Sequence, residues 1–251
     1  MKARKARHDE ASPGGVFAPL FGAGRPAPAA VAAFLAERGF PVAEPGLVTF
    51  AWSGKADRVE LVRWINANPE RLPFRRVPGT TLWVLRLPVE DGGRFEYKLA
   101  LTRGADEDWV LDPLNPIRAG DPLGENPVCR THGYAPPDWT SRRGAPAGRI
   151  VSLTIDSTVF AETREERVYL PAGYAAGGAY PLVVVHDGRD YATYGDLTVA
   201  LDNLIAAGDI PPLLALLIQT EDRMGEYPRR RRHARYVVDE LLPAAAAGFS
   251  L

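Results

Sequence analysis

The chain has 251 residues, of which 46% are hydrophobic and 24% charged, close to the average for folded globular proteins. Because 30 Lys and Arg residues are balanced by 31 Asp and Glu residues, the net charge of −1 gives no general attraction to nucleic acid or to an anionic membrane. The single cysteine, Cys129, cannot form an internal disulfide, and we interpret it as a structural thiol in a reducing compartment.

The N-terminal residues show no targeting or membrane signal. Residues 1–10 are rich in Lys, Arg and His and lack the apolar run of a secretory signal, and no apolar stretch in the chain is long enough to predict a membrane-spanning helix. We therefore expect a cytoplasmic protein. Residues 1–46 are assigned to a tail and one short helix, from Pro28 to Arg38, which ends at Gly39.

Residues 47–118 alternate between apolar and polar side chains. The alternation is clearest in three runs, Val48 to Trp52, Thr81 to Leu87 and Phe95 to Leu101. Such a period of two indicates antiparallel strands with one buried face, and Asp91-Gly92 between the last two runs predicts a hairpin turn. This segment is predicted to form a small immunoglobulin-like β-sandwich.

Residues 119–148 contain many prolines and glycines and are interpreted as a linker without regular elements. A different pattern begins at residue 149, where an alternating strand pair is followed by continuous apolar runs and helical stretches. Strand, helix, strand and helix in this order predict a parallel sheet with crossover connections. The segments are Val151–Ile155, Val168–Leu170, Leu182–Val185, Leu197–Ala207, Leu213–Ile218 and Tyr236–Leu242.

Both halves of the chain carry motifs whose order and spacing are specific. Those of the first half are Pro78–Trp83, Phe95–Leu99 and Asp112–Pro116, and those of the second are His186-Asp187-Gly188, Leu201–Pro212, Arg223–Tyr227 and Asp239–Pro243. With these motifs the chain resembles the enterochelin (enterobactin) esterases, in the esterase-D-like branch of the α/β-hydrolases. The resemblance covers roughly residues 47–243.

The resemblance implies a two-domain α+β protein. An immunoglobulin-like (early-set) sandwich over residues 47–118 and a linker over 119–148 would be followed, over 149–251, by the first half of an α/β-hydrolase fold. It also implies a serine hydrolase without cofactor or metal. Such an enzyme cleaves the ester bonds of a ferric catecholate siderophore and releases iron. Its partner is this small molecule, and neither nucleic acid nor membrane is expected.

A Ser–acid–His triad, in that chain order, is expected of this fold, and the sequence does not provide it. The histidines all precede any nucleophile elbow and are interpreted as structural; they are His8, His132, His186 and His233. Ser250 completes a Gly-x-Ser sequence, but the residues before it are too few for the loop and strand of an elbow. We therefore expect that the sequence stops before the catalytic serine and is inactive alone.

Two parts of a site are nevertheless expected from the resemblance. The backbone N–H groups of Gly188 and Arg189 follow the strand that supplies an oxyanion donor in this fold. Arg223, Glu226 and Tyr227 follow the next parallel strand, where ligands of such sheets bind, and are candidate substrate contacts. Two alternatives remain open: a non-catalytic catecholate-binding protein, and a fragment of a sister-family esterase or acyltransferase.

Overall fold

The computed structural model describes residues 15–22, 24–65, 68–220, 222–227 and 230–251. The chain divides into two compact units, one ending at Ala135 and the other beginning at Pro136. The interpretation of residues 1–14 as a tail, and of His8 within it, lies outside the described residues. Within the described part of the chain, no helix is long and apolar enough to cross a membrane.

The first unit consists mainly of antiparallel strands. A 3-10 turn, Gly15–Phe17, leads into two helices, α1 (Ala18–Phe21) and α2 (Pro28–Arg38). The strands that follow are β1 (Val42–Glu44), β2 (Leu47–Ser53), β3 (Arg58–Ile65), β4 (Asn68–Pro73), β5 (Arg75–Arg76), β6 (Leu82–Pro88), β7 (Arg94–Glu96), β8 (Lys98–Arg103), β9 (Asp106–Val110), β10 (Arg118–Asp121) and β11 (Gly124–Arg130).

These strands form two four-stranded sheets, ordered β1-β2-β6-β5 and β4-β3-β8-β9, and a smaller sheet, β10-β11-β7. Alternate residues of the strands meet in one core, which includes Phe50, Trp52, Leu61, Trp83 and Leu99. This alternation is what the period of two predicts. Cys129 lies in the same core, where burial raises the pKa of its thiol to about 12, so it is an unreactive structural group.

Residues before the first strand contribute a second small core. Phe17 from the 3-10 turn joins Val31 and Leu35 of α2 and packs with Ala51 and Leu82, on the opposite side of β2 and β6 from the main core. The expected helix has the predicted bounds, and Gly39 after it adopts a positive φ of 70°. The expectation of an irregular tail before Pro28 is therefore wrong for residues 15–21.

Two expectations about connections are wrong. Asp91-Gly92 does not close a hairpin, because β6 pairs with β2 and β5 whereas β7 pairs with β11. The stretch 119–148 is not irregular throughout, because β10 and β11 form an antiparallel pair in it. β11 also pairs with β7, which lies about 30 residues earlier in the sequence, so local Pro and Gly content did not reveal this second pairing.

The second unit contains the strands β12 (Arg149–Ser157), β13 (Glu162–Leu170), β14 (Leu182–His186) and β15 (Leu214–Ile218). Its helices are α3 (Gly188–Tyr194), α4 (Leu197–Ala207), α5 (Arg223–Glu226), α6 (Arg230–Arg235), a π-helical segment (Tyr236–Leu241) and α7 (Leu242–Gly248).

The four strands form one sheet in the order β12-β13-β15-β14, in which only β14 and β15 are parallel. All five residues of β15 are buried, as expected of a strand covered on both faces. Residues of α3 and α4 cover one face, and the π-helical segment and α7 cover the other. Among the described strands, β14 has a neighbour on one side only, and its Val183 is 43% exposed.

Candidate functional site

The loops after β14 and β15 lie at the same edge of the sheet because the two strands run parallel. Asp187 follows β14 with a left-handed backbone (φ 54°, ψ 35°), and Gly188 then begins α3. A Cβ atom on Gly188 would lie 2.3 Å from the Cα atom of Leu217 in β15. The glycine is therefore required by close packing of α3 against β15, and not by the approach of a ligand that its motif suggested.

The candidate oxyanion donors lie at this edge. The backbone N–H of Arg189 donates a hydrogen bond to Oε1 of Gln219, at 3.2 Å. Gln219 directly follows β15, and its amide group also donates to Asp190 (3.3 Å). A substrate oxygen would have to displace Gln219 to reach the N–H of Arg189. The oxyanion role of Gly188 and Arg189 stays a prediction.

Arg223 and Tyr227 converge on the carboxylate of Asp187. Nη2 of Arg223 lies 3.0 Å from Oδ2, and the hydroxyl group of Tyr227 donates to Oδ1 at 3.1 Å. The Arg223 side chain remains 68% exposed, so it can exchange this partner for an anionic ligand. Burial is the largest of the effects that raise the pKa of Tyr227, to about 12, so its hydroxyl group is neutral.

Glu226 is placed differently from these two neighbours. Its carboxylate is buried and accepts hydrogen bonds from both Nη atoms of Arg164, at 3.1 and 3.3 Å, and lies 2.8 Å from Nδ1 of His233. Burial alone would raise its pKa, but hydrogen bonds from Thr220, His233 and Arg164 lower it overall. Because both oxygens are engaged, the geometry favours an internal role for Glu226 over the expected direct contact with substrate.

Arg164 connects this carboxylate to a second one. Its guanidinium group lies 3.5 Å from Oε1 of Glu166 and stacks on the rings of Phe160 and Tyr236, at 4.4 and 4.7 Å from their centroids. The Tyr236 hydroxyl group donates to the buried Glu166 at 2.8 Å. With Glu162 also 3.2 Å from Nη1, the cation is paired with three carboxylates and two aromatic faces, an arrangement that offsets the cost of burying it.

Two histidines that were interpreted separately are in contact. Nε2 of His233 in α6 lies 3.2 Å from Nδ1 of His186 at the end of β14, and the ring of Tyr227 packs edge-on against both. Burial and the nearby His233 lower the pKa of His186. No local sequence signal joins these residues, which are 47 positions apart. The fold brings α6 next to the end of β14 and so places the two side chains in contact.

A polar cleft of about 500 Å³ opens beside this network. It is bordered by Arg189, Gln219 and Glu226 from the strand ends and by Glu162 and Arg232. Its lining contains both arginines and carboxylates, so it can accept ligands that carry both hydroxyl and anionic groups. Within the described residues, no group of three or more His, Cys, Asp or Glu side chains is arranged to hold a metal ion.

The hydrogen bonds of Ser250 involve none of these groups. Its hydroxyl oxygen accepts from the N–H of Gly177 at 2.7 Å, and its own N–H donates to the hydroxyl group of Tyr174 at 3.0 Å. The helix α7 precedes it, where a nucleophile elbow would need a strand. Within the described part of the chain, no His side chain is hydrogen-bonded to Ser250, and no Ser–His–acid triad is present.

Comparison with known proteins gives consistent matches. The model of the Esterase family, described as "Putative esterase", matches residues 157–251. The iron(III) enterobactin esterase of Dickeya dadantii (strain 3937) is 27% identical over 212 residues, which cover 72% of this chain and 48% of that protein. The chain thus spans about half the length of this curated relative.

Solved structures of enterobactin esterases are also similar to this chain. The ferric enterobactin esterase of Salmonella typhimurium superposes with a TM-score of 0.62 at 21% identity, over 81% of this chain and 61% of the other. The enterobactin esterase of Shigella flexneri, solved in the presence of enterobactin, gives a TM-score of 0.60 at 21% identity, over 80% and 60% of the two chains. At this identity the similarity establishes a shared mixed α/β fold.

Proposed function

We propose that the chain belongs to the esterase family that includes the enterobactin esterases, and that it serves the hydrolysis of ester bonds in a ferric catecholate siderophore by binding that substrate. The observation that carries this proposal is the coverage of the fold similarity, about four fifths of the chain, which includes strands of both units. A Shigella flexneri enterobactin esterase was also solved with 2,3-dihydroxy-N-benzoyl-serine, a catechol compound.

The proposal includes the finer fold assignment. Two antiparallel sheets around one core support an immunoglobulin-like sandwich in the first unit. The parallel pair β14 and β15, with helices on both faces of the sheet, supports the first half of an α/β-hydrolase fold in the second. A cytoplasmic location is part of the same proposal, supported by the unpaired, buried Cys129.

The ligand is proposed to bind at the carboxyl ends of β14 and β15. Arg223 is exposed and close to Tyr227, which supplies an aromatic face and a neutral hydroxyl group. A guanidinium group forms strong, charge-assisted hydrogen bonds to anionic oxygens such as those of a catecholate. Arg189 borders the adjacent cleft and adds a second cation to this edge.

We do not expect this polypeptide alone to hydrolyse the ester. Within the described residues the N–H of Arg189, the proposed oxyanion donor, is hydrogen-bonded to Gln219, and no serine is hydrogen-bonded to a histidine. Removing members of such a triad lowers kcat by about 10⁴- to 10⁶-fold. The second candidate function is non-catalytic binding of a catecholate without any part in its hydrolysis, and the same hydrogen bonds of Gln219 and Ser250 support it.

One experiment measures catecholate binding and ester hydrolysis separately. A ferric catecholate complex is titrated against the purified 251-residue protein and its Arg223→Ala variant at two salt concentrations, and nitrophenyl ester hydrolysis is measured with a Ser250→Ala control. We expect binding that weakens in Arg223→Ala and at higher salt, and no esterase rate that depends on Ser250. Because Arg223 is exposed, its contribution is expected to be about 1 kcal/mol or less.

The matched control is Arg103→Ala in the first unit, which removes another exposed arginine paired to a carboxylate. Equal affinities of the wild type and Arg223→Ala would remove Arg223 from the site. Esterase turnover that Ser250→Ala abolishes would contradict the proposed lack of triad activity, and an absence of catecholate binding would contradict the proposed ligand.

A further inference from the structure

A chain of hydrogen-bonded groups runs from the inside of the second unit to the edge of the sheet, and the proposed function does not use it. It begins at the buried carboxylate of Glu226, continues through the buried ring of His233 and ends at His186, an exposed residue. The two links are 2.8 Å (Glu226 Oε1 to His233 Nδ1) and 3.2 Å (His233 Nε2 to His186 Nδ1).

The positions of the protons follow from the inner end of this chain. Glu226 is ionised, since hydrogen bonds from Thr220, His233 and Arg164 lower its pKa despite burial, and a carboxylate only accepts hydrogen bonds. Nδ1 of His233 therefore carries a hydrogen atom. With Nε2 of His233 carrying no hydrogen atom, that nitrogen accepts the second link and Nδ1 of His186 donates it.

The outer nitrogen of His186 is left with a lone pair. With its hydrogen atom on Nδ1, a neutral His186 can only accept a hydrogen bond at Nε2. Partial burial of the ring and the nearby His233 lower the pKa of His186, although Asp187 and Glu226 act in the opposite direction. The lowered pKa keeps the ring neutral near pH 7. In the described part of the chain no group is hydrogen-bonded to this Nε2 atom, whereas Nδ1 is engaged.

We propose that Nε2 of His186 accepts a hydrogen bond from a neutral hydroxyl group of the bound ligand, of the kind a metal-free catechol carries, and that His233 and Glu226 are positioning residues that fix the required tautomer. The identity of the ligand class rests on the proposed function. The hydroxyl group that donates to His186 is one that does not bind a metal, since a hydroxyl group that binds a metal as an anion has no hydrogen atom to donate.

The charged groups around the two rings are Asp187, Glu226 and, through Glu226, Arg164. Arg223 reaches the pair through Asp187.

The tautomers are tested in the free protein. Long-range ¹H–¹⁵N correlation spectra at pH 7.5 report which nitrogen of each histidine is protonated. We expect Nδ1–H at both His186 and His233 in the wild type, and a shift of His186 toward Nε2–H in His233→Phe, where its acceptor is absent. Nε2–H at His186 in the wild type would overturn the proposal, and this spectrum decides even if the variant does not fold.

The ligand half is tested with two probes, 2,3-dihydroxybenzoate and 2,3-dimethoxybenzoate, which lacks hydroxyl donors. In His186→Phe we expect affinity for the dihydroxy compound to fall about 2- to 10-fold, the range of one neutral hydrogen bond, with no change for the dimethoxy compound. His132→Phe, which removes an exposed histidine of the first unit, is the matched control and should change neither.

An equal change for both probes in His186→Phe, or no change for either, would overturn the proposed hydrogen bond. If the wild type binds neither probe, the proposed catecholate ligand fails and the ligand half of this inference fails with it. The spectra of the free protein distinguish that case, because they establish or exclude the fixed tautomer without any ligand.

Discussion

The hydroxyl group of Tyr97 connects two of the motifs on which the family resemblance was based. It donates to Oδ2 of Asp112 at 2.7 Å and accepts from Nδ2 of Asn115 at 3.1 Å, and Asn115 also donates to the carbonyl group of Val128. All three polar side chains are buried. These motif residues are therefore explained by the stability of the first unit and need no ligand.

Tyr97→Phe should lower the free energy of unfolding by about 1–3 kcal/mol, because Oδ2 of the buried Asp112 and one N–H of the buried Asn115 amide lose their hydrogen-bond partner. Urea denaturation with a fluorescence or circular-dichroism signal measures the change. The matched control is Tyr191→Phe, an exposed position whose substitution should stay within about 0.5 kcal/mol. A Tyr97→Phe protein as stable as the control would show that the network contributes nothing.

Single residues also show where prediction from the sequence ends. Arg223 and Tyr227 were placed at the ligand edge from the strand order, and the structure brings both to Asp187. Gly188 was associated with the ligand, but the close approach is to the backbone of Leu217. The contact of His186 with His233 was missed, since it depends on side-chain directions that no periodicity encodes.

Among the elements, the turn between β12 and β13 is held by one side chain of the π-helical segment. The carboxylate of Glu240 accepts hydrogen bonds from the hydroxyl groups of Ser157 and Thr158 and from the N–H groups of Thr158 and Val159, at 2.5 to 3.0 Å. These bonds, led by that of Ser157, lower the pKa of Glu240 to about 2. The helical end is thereby fixed to the hairpin.

Glu240→Gln should lower the melting temperature at neutral pH, because an amide group cannot accept all four bonds. Since the folded pKa lies below the ordinary value of 4.5, the stabilisation is present above pH 4.5 and is lost as the pH falls toward 2. Thermal melts between pH 7 and pH 3 should therefore show the wild type and Glu240→Gln converging in acid. A constant difference across this range would assign the effect to something other than the charge. Asp239→Asn, at the exposed neighbouring position, is the control.

Elements with a strong internal pattern were predicted well. The helix over Leu197–Ala207 and the parallel strands β14 and β15 lie where their apolar runs indicated. The pair β10 and β11 was missed, because its residues are polar or glycine at many positions and show no apolar alternation. β11 also pairs with β7, a tertiary neighbour that a local pattern does not contain.

At the scale of the whole molecule, the two units differ in how their sheets end. In the second unit the edge strand β14 carries the sequence Leu-Val-Val-Val without a charge or proline to interrupt it. An apolar edge with unpaired backbone groups is a template for pairing with another chain. The first unit has short or charged edge strands instead, such as β5, with Arg75 and Arg76, and β9, with three acidic residues.

We expect residues 15–135 to fold alone as a monomer and residues 136–251 to associate. The second fragment must begin near Pro136, because Asn203 of α4 donates to the carbonyl groups of Trp139 and Ser141. Light scattering at increasing concentration measures the association. Val183→Lys should reduce it, and Val238→Lys, at an exposed helical position, should not. A monomeric 136–251 fragment that melts cooperatively would contradict this expectation.

The strand order also determines what happens while the chain is being synthesised. The hairpin of β12 and β13 can form as soon as it leaves the ribosome, but β14 pairs only with β15, which is made about 30 residues later. At roughly 5–20 residues per second, the Val-rich β14 waits a few seconds for its partner. During that interval β14 is the segment of the second unit that a chaperone with affinity for extended apolar chains would bind.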